Sequence, residues 1–451
     1  MPPLLTFYGD DFTGSTAVME VLTFAGAPTM LFLEPPTPAM LSRYPDLRAI
    51  GVAGVARSRD PAWMKAHLPP VFEALKALKA PVVHYKVCST FDSSPKIGSI
   101  GAAAEIGAAI FDSSWIPLVV GAPAIGRYQV FGALFAGAGD GVHRLDRHPV
   151  MSRHPVTPMD EADLRLHLSK QTTLPVGVVD MAAMKSGRAD AALAHCLSEG
   201  ARIIGLDTLD DETLAEAGRL IQPPDPAAAA AVFAIGSQGV EYALVAHWRT
   251  IGVLPATHSP PSVAPVDQLF CVSGSCAPTT AAQIACAEAK GFAIIPFDAA
   301  AAVDDDRLAG EREGVLSQCL TACSEGRDVL VTTVRGPDDP AIARMNNAIE
   351  TAGAKTGEVN DRLGAALGAL VAEIHKRTGL PRAVIGGGDT SGHALTALDA
   401  AALSAIAPLA PGAPLCRLHS SSAMDGFEVA LKGGQMGPPE FFVQAKLGPS
   451  G

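Results

Sequence analysis

Short runs of β-branched and aliphatic residues alternate with longer Ala/Leu-rich runs along nearly the whole chain, and this alternation restricts the fold more than any single motif does. Strands that are each followed by a helix return in the same direction, so the pattern predicts an α/β fold of mainly parallel sheets with helices on both faces. The first set of predicted strands falls at 4–8, 49–55, 82–87, 118–121, 175–179, 202–206 and 231–235, with helices over 61–79 and 102–111. From 251 to 267 the alternation stops, and Pro255, Pro260, Pro261 and Pro265 exclude both a helix and a sheet interior. It resumes with strand-like runs at 268–272, 292–296, 329–334, 383–385 and 427–431. A chain of 451 residues exceeds what one core usually supports. The expectation is therefore two α/β/α domains, 1–250 and 268–451, joined by a linker at 251–267.

Charge narrows the partners. With 34 basic and 46 acidic residues and a formal net charge of −12, the chain has no basic field for nucleic acid or an anionic membrane. A small anionic substrate would have to be met by local cations. Met1-Pro2-Pro3 carries no basic region, and the apolar stretch 394–416 is interrupted by Asp399 and prolines. Neither a signal peptide nor a membrane span is expected, and the predicted location is cytoplasmic. The eight cysteines form no CxxC pair and show no metal-ligand spacing with histidine, so they read as reduced and mostly buried. A tract of alanines at 227–231 reads as a packed element.

In open α/β sheets ligands collect at the carboxyl ends of the strands, where helix N-termini present free N–H groups. Asp10 and Asp11 end the first predicted strand. Two adjacent carboxylates there suit a base that takes a proton from a hydroxyl, or a pair that holds sugar hydroxyls or a metal; an aspartate at that place also serves as an ordinary helix cap. Arg57-Ser58-Arg59, Lys86 and Arg127 lie after further strands of the same half and are candidate carboxylate binders. In the second half, Gly386-Gly387-Gly388-Asp389-Thr390-Ser391-Gly392 joins a strand to a helix through glycines that let a phosphate chain approach the backbone. Ser273-Gly274-Ser275-Cys276 and Lys432-Gly433-Gly434-Gln435-Met436-Gly437 occupy equivalent places. Neither GxGxxG nor GxxxxGK[ST] is present, so no standard nucleotide fingerprint accounts for these loops. No metal-binding set is identified, and Cys88, beside Lys86, lacks a recognisable histidine partner.

Taken together, in number and order, these loops resemble the four-carbon acid sugar kinases. Gly9-Asp10-Asp11-Phe12-Thr13-Gly14 is similar to the family's "DDLTGA", Ser58-Arg59 to its "SR", Lys86-Val87-Cys88-Ser89-Thr90 to "KIDST" and Gly126-Arg127 to "GR". Gly236-Ser237-Gln238-Gly239 resembles "GSxG", and Gly274-Ser275-Cys276 resembles "GSxS" with Thr280 and Gln283 following. Gly387-Gly388-Asp389-Thr390-Ser391-Gly392 resembles "GGETSG", and the stretch from Lys432 to Gly437 resembles "KSGNFG". The resemblance implies an N-terminal acid-sugar-binding domain, a C-terminal nucleotide-binding domain and an active-site cleft between them. It implies that Asp10 and Asp11 are catalytic and that Arg59, Lys86, Ser89, Thr90 and Arg127 face the sugar acid. Ser275, Gly387, Gly388, Asp389, Thr390, Gly433 and Gly434 would face ATP, with Mg2+ as the accompanying ion.

The expected reaction is ATP-dependent phosphorylation of a terminal hydroxyl of a small sugar acid. Where the family reads "DSTLRG" this chain has Cys88-Ser89-Thr90-Phe91-Asp92-Ser93, exchanging an acid for a thiol and an arginine for an aspartate. That departure brings a branched or 3-oxo acid, such as 3-oxo-isoapionate, beside the linear four-carbon acids as a substrate. Two other readings remain at this level: a silent sugar-acid sensor on the same fold, and a dinucleotide-dependent oxidoreductase, against which the missing GxGxxG argues. The oligomeric state stays open, with a homodimer as one option.

Overall fold

The computed structural model describes residues 2–139, 141–154, 156–223 and 230–448. Most of the alanine tract at 227–231 lies outside them, as do the side chains of Asp389 and Thr390. The chain divides into two compact units, Met1–Ser259 and Pro260–Gly451. No helix among the described residues is long and apolar enough to cross a membrane.

The first unit is built on β1 (Leu5–Gly9), β2 (Thr29–Phe32), β3 (Ala49–Ala53), β4 (Val82–Lys86), β5 (Ile116–Val119), β9 (Val176–Val179), β10 (Ile203–Leu206) and β11 (Val232–Gly236). Their order is β2-β3-β1-β4-β11-β5-β10-β9, and each neighbouring pair is parallel. β1, β3 and β4 are buried at every position, as strands covered on both faces must be, and β4 buries His84 and Lys86 along with its apolar residues. Between β5 and β9 the strands β6 (Arg127–Val130), β7 (Ala133–Ala138) and β8 (Gly141–Arg144) form a separate antiparallel sheet. Tyr8, Phe72, Tyr85, Phe111 and Phe233 interlock beneath the main sheet, with Phe111 and Phe233 stacked at 5.1 Å. The covering helices start on side-chain caps: Asp60 accepts from Trp63 N ahead of the helix Pro61–Ala77, and Ser99 accepts from Ala102 N ahead of Ile100–Phe111.

Register matters more for function than strand count. Gly9 pairs with Ala53 and with Lys86, and Lys86 pairs with Gly236, so four adjacent strands end level at their carboxyl edge.

The second unit contains β12 (Phe270–Ser273), β13 (Ala293–Pro296), β14 (Val329–Thr332), β15 (Arg382–Gly386), β16 (Ala402–Ala410), β17 (Ala413–His419) and β18 (Glu428–Lys432), in the order β13-β14-β12-β15-β18-β17-β16. The first five positions run parallel, and β17 and β16 then add antiparallel strands. The sequence pattern does not place β16 and β17, since the four alanines and the proline of β16 have little intrinsic strand preference; burial against the sheet and the Pro411-Gly412 turn make them a hairpin. At the amino edge of this sheet the buried Arg382 donates to Glu428, 2.7 Å away, and to the carbonyls of Ala445 and Ala264. At the opposite edge Ser273, Gly386 and Lys432 end level on three adjacent strands.

Candidate functional site

In the first unit the level strand ends bring three loops together. Asp11 is the N-cap of the helix Phe12–Phe24: its Oδ1 accepts from Gly14 N at 2.9 Å and its Oδ2 from the Thr13 hydroxyl at 2.7 Å. Asp10 is turned inward and is 2% exposed. Arg57, from the short turn Ala56–Ser58 after β3, joins the two: its Nη2 lies 2.8 Å from Asp10 Oδ1 and 2.8 Å from Asp11 Oδ1. Its backbone N–H also donates to the Asp10 carbonyl. Two effects oppose each other at Asp10. Burial and the charge of Asp11 push its pKa up, Arg57 and Lys86 pull it down, and burial prevails, leaving it at about 6.

Lys86 ends β4 and is buried, with Nζ donating to the Val87 carbonyl at 2.7 Å. A Cβ on Gly14 would stand 2.8 Å from that Nζ, so a glycine in the first helical turn is what lets the ammonium lie against Asp11's helix. On the following loop the Cys88 thiol lies 3.0 Å from the Thr90 hydroxyl, which donates to Asp92. Ser89 is half-buried beside them. Burial pushes the Cys88 thiol up to about 11, with the Asp92 charge acting in the same direction. Asp92 is held below the usual carboxylate range; burial opposes this, and Arg57 and the Thr90 and Cys88 hydrogen bonds overcome it. Arg127 begins β6, and its Nη1 donates to the Ile125 and Gly126 carbonyls at 3.2 Å. Its buried Nε has no hydrogen-bond partner, and burial lowers its pKa.

Arg59 is placed differently. It is exposed, with its guanidinium 5.6 Å from the Trp63 ring centroid. Arg57, two residues earlier, makes the contacts to the carboxylates. The tripeptide Arg57-Ser58-Arg59 gives no residue-level signal to separate the two; the turn that points one in and the other out decides it.

The second unit has a glycine- and hydroxyl-lined edge. Gly387, at φ +125°, donates its N–H to the Lys432 carbonyl at 2.9 Å, and its own carbonyl accepts from the buried Ser391 hydroxyl. The helix Gly388–Ala397 starts there, and Gly388 is exposed with open space where a Cβ would stand. Asp389 and Thr390 occupy its first turn. Across β12, Ser275 precedes the helix Pro278–Ala289, and its hydroxyl lies 3.1 Å from that of Thr280. Thr280 also donates to the Gly434 carbonyl at 2.9 Å. Gln283 ties down the same loop by donating to the carbonyls of Met436, Gly437 and Pro438. Gly433 and Gly434 are half-buried, and a Cβ on Gly434 would come within 2.5 Å of Ser275 Oγ. Two helix N-termini and bare glycine backbone on one edge form the environment that polyphosphates seek. Among the described residues no group of three or more His, Cys, Asp or Glu could hold a metal ion.

Residues 5–244 match the sugar-binding N-terminal domain, and residues 270–442 match the nucleotide-binding C-terminal domain. The chain is 46% identical over 447 residues to the 3-oxo-isoapionate kinase of Paraburkholderia graminis, covering 99% of this chain and 94% of that one. It is 30% identical over 453 residues to the 3-oxo-tetronate kinase of Burkholderia multivorans, covering 98% and 96%. Its fold is similar to crystal structures of proteins from Salmonella typhimurium LT2, with TM-score 0.78 and 23% identity, and from Haemophilus influenzae, with TM-score 0.72 and 22% identity; each covers 98% of both chains. Sequence match over both halves, with the strand-end loops in the family's order, shows that the chain belongs to the four-carbon acid sugar kinase family.

Proposed function

We propose that this protein transfers the γ-phosphoryl group of ATP to a terminal hydroxyl of a small branched 3-oxo sugar acid, with 3-oxo-isoapionate as the reference substrate. The full-length similarity to a 3-oxo-isoapionate kinase supports that choice over a linear acid. The observation that carries the chemistry is the bracket Asp10–Arg57–Asp11 at the carboxyl edge of the first sheet.

Asp11 is the base in this reading. Its side chain is 20% exposed, and the hydrogen bonds from Thr13, Gly14 and Arg57 fix its orientation. Asp10 is buried and acts by holding Arg57, and thereby Asp11, in place. Lys86 and Arg127 bind the acid's carboxylate. Among the described residues both are cations whose side-chain hydrogen bonds go only to backbone carbonyls, and Arg127 keeps an unpartnered buried N–H donor for an incoming acceptor. Ser89 and Thr90 supply hydroxyl contacts, and the exposed Arg59 adds positive charge at the rim.

Ser275, Gly387, Gly388, Gly433 and Gly434, with Asp389 and Thr390 in the first helical turn, form the seat for ATP. Exposed glycine backbone and two helix starts fit its phosphates. Magnesium fits as an ion carried on the nucleotide's phosphates, since no three-ligand protein cluster is present among the described residues. When bound, it neutralises charge on the transferring phosphoryl group.

The test is ADP release by purified protein with a panel of four- and five-carbon acids, including branched and 3-oxo acids. Turnover is expected with the branched 3-oxo acid and is expected to be lost in Asp11→Asn. ADP release that does not depend on any acid would overturn the proposal.

A further inference from the structure

In the second unit one buried cation faces no counter-charge among the described residues. Lys432, the last residue of β18, is 0% exposed, yet among the described residues its Nζ has one hydrogen-bond partner, the Thr280 hydroxyl at 3.1 Å. Among the described residues no carboxylate, histidine, thiol or second cation bears on it, and burial pulls its pKa down, to about 8. The neighbouring strand presents Gly386 at the paired position, and the helix across it presents Thr280. The helix Gly388–Ala397 also packs against β18; its His393 is paired with Asp361, and the side chain of its Asp389 lies outside the described residues. Cys276, on the adjoining loop, is exposed. An unpaired buried ammonium is costly, and lysine meets that cost by giving up its proton unless an anion arrives.

The hydroxyls leading away from Lys432 point to where an anion would act. Thr280 Oγ1 accepts from Lys432, and its single proton can be donated to the Ser275 hydroxyl at 3.1 Å or to the Gly434 carbonyl at 2.9 Å. When Thr280 donates to Ser275 Oγ, which also accepts from Ala277 N, the Ser275 proton is left for a ligand. The chain thus runs from a buried cation through two hydroxyls to the glycine loop 433–434 and the start of the helix Pro278–Ala289.

We propose that Lys432 is a positioning residue whose proton is taken up when nucleotide binds, the positive charge being transmitted to the phosphates through Thr280 and Ser275 rather than by direct contact. This rests on the assignment of the second unit as the nucleotide seat and adds its proton linkage. The sign follows from the geometry. A polyphosphate stabilises the ammonium, so the lysine binds its proton more tightly in the complex, and nucleotide affinity falls as the pH rises through the range in which the free protein's Lys432 loses its proton.

The experiment is calorimetric titration of the full-length protein with ADP, without sugar acid, in buffers of different ionisation enthalpy at pH 7 and pH 9. The expected uptake is roughly half a proton or more per nucleotide at pH 9, falling toward zero at pH 7. Lys432→Met and Thr280→Val are each expected to lose the uptake, and Cys276→Ser to keep it. Wild-type binding at pH 9 with no buffer dependence overturns the proposal and needs no variant to be folded. Uptake that persists in Lys432→Met, or is lost in Cys276→Ser, overturns it as well. In all those outcomes ADP still binds, so the nucleotide seat stands; failure of the wild type to bind ADP at either pH removes that assignment and the proposal with it.

Discussion

Arg57 Nη2 lies 2.8 Å from one oxygen of Asp10 and 2.8 Å from one oxygen of Asp11, so a single guanidinium fixes two consecutive carboxylates at the end of the first strand. Adjacent side chains on an extended segment point to opposite sides, and Asp11 adopts extended backbone as a helix cap. A shared cation bridges that divergence. It also keeps the inward Asp10 from being an uncompensated buried charge, which makes Arg57 more important to the site than its half-exposed position suggests.

Arg57→Gln is expected to destabilise the first unit by about 3–5 kcal/mol, the usual cost of removing one partner of a buried pair. Sugar-acid-dependent ADP release should fall at least about 100-fold, because the base loses its orientation. Arg57→Lys retains charge but cannot reach both oxygens with one planar group, so it should recover stability more than turnover. Equal turnover in Arg57→Gln and the wild type would exclude Arg57 from the site. Urea denaturation and steady-state kinetics separate the two effects.

The parallel strands were legible from sequence because both of their faces are covered and their residues are mostly apolar, as at β3. The strand-end loops were legible for the same reason: once strands are located, Asp10, Lys86, Ser275, Gly387 and Lys432 follow as what comes at or after each. What stayed hidden had weaker signals. β16 holds four alanines and a proline in nine residues, and β6–β8 are short, half-exposed strands whose pairing is set by tertiary contacts such as Gln129 with Thr208. The inward turn of Arg57 against the outward turn of Arg59 depends on a single three-residue helical turn, which composition does not encode.

Asp10 couples stability and activity to pH in opposite directions. Its carboxyl rises from 3.8 to about 6 on folding, so the folded state binds the proton more tightly than the unfolded chain. Its contribution therefore favours folding at low pH and is lost as the pH rises from about 4 through about 6, on the order of 3 kcal/mol in full. Asp10→Asn should remove that slope when urea midpoints are compared between pH 4 and pH 7. The wild-type kcat/KM should run the other way and fall below about pH 6, as protonated Asp10 releases Arg57. A kcat/KM that is flat from pH 7 to pH 5 would count against the bracket.

Gly434→Ala tests the hydroxyl chain of the second unit. The added methyl would stand 2.5 Å from Ser275 Oγ, and the serine side chain can relieve this by rotating. Rotation sacrifices its contact with Thr280, a loss of about 0.5–1.5 kcal/mol. The fold should survive with a small change in urea midpoint, while ADP affinity measured by calorimetry should drop about tenfold. Unchanged affinity would show that Ser275 and Gly434 lie away from the phosphates.

Cys88 occupies a place where a thiolate would be an attractive nucleophile, next to Lys86 and within the electrostatic reach of Arg57. Burial and the Asp92 charge outweigh both cations and leave the thiol at about 11, so very little thiolate is present near neutral pH. The Thr90 hydroxyl, 3.0 Å away, further ties the sulfur into the chain that ends on Asp92. Iodoacetamide at pH 8 should therefore modify the exposed Cys276 and leave Cys88 intact, as read by peptide mass spectrometry. Cys88→Ser should retain the Thr90 contact and most of the turnover, since the position contributes a hydrogen-bonding group rather than a nucleophile. Rapid alkylation of Cys88 accompanied by loss of activity would reverse that assignment and make the thiol a participant in the reaction.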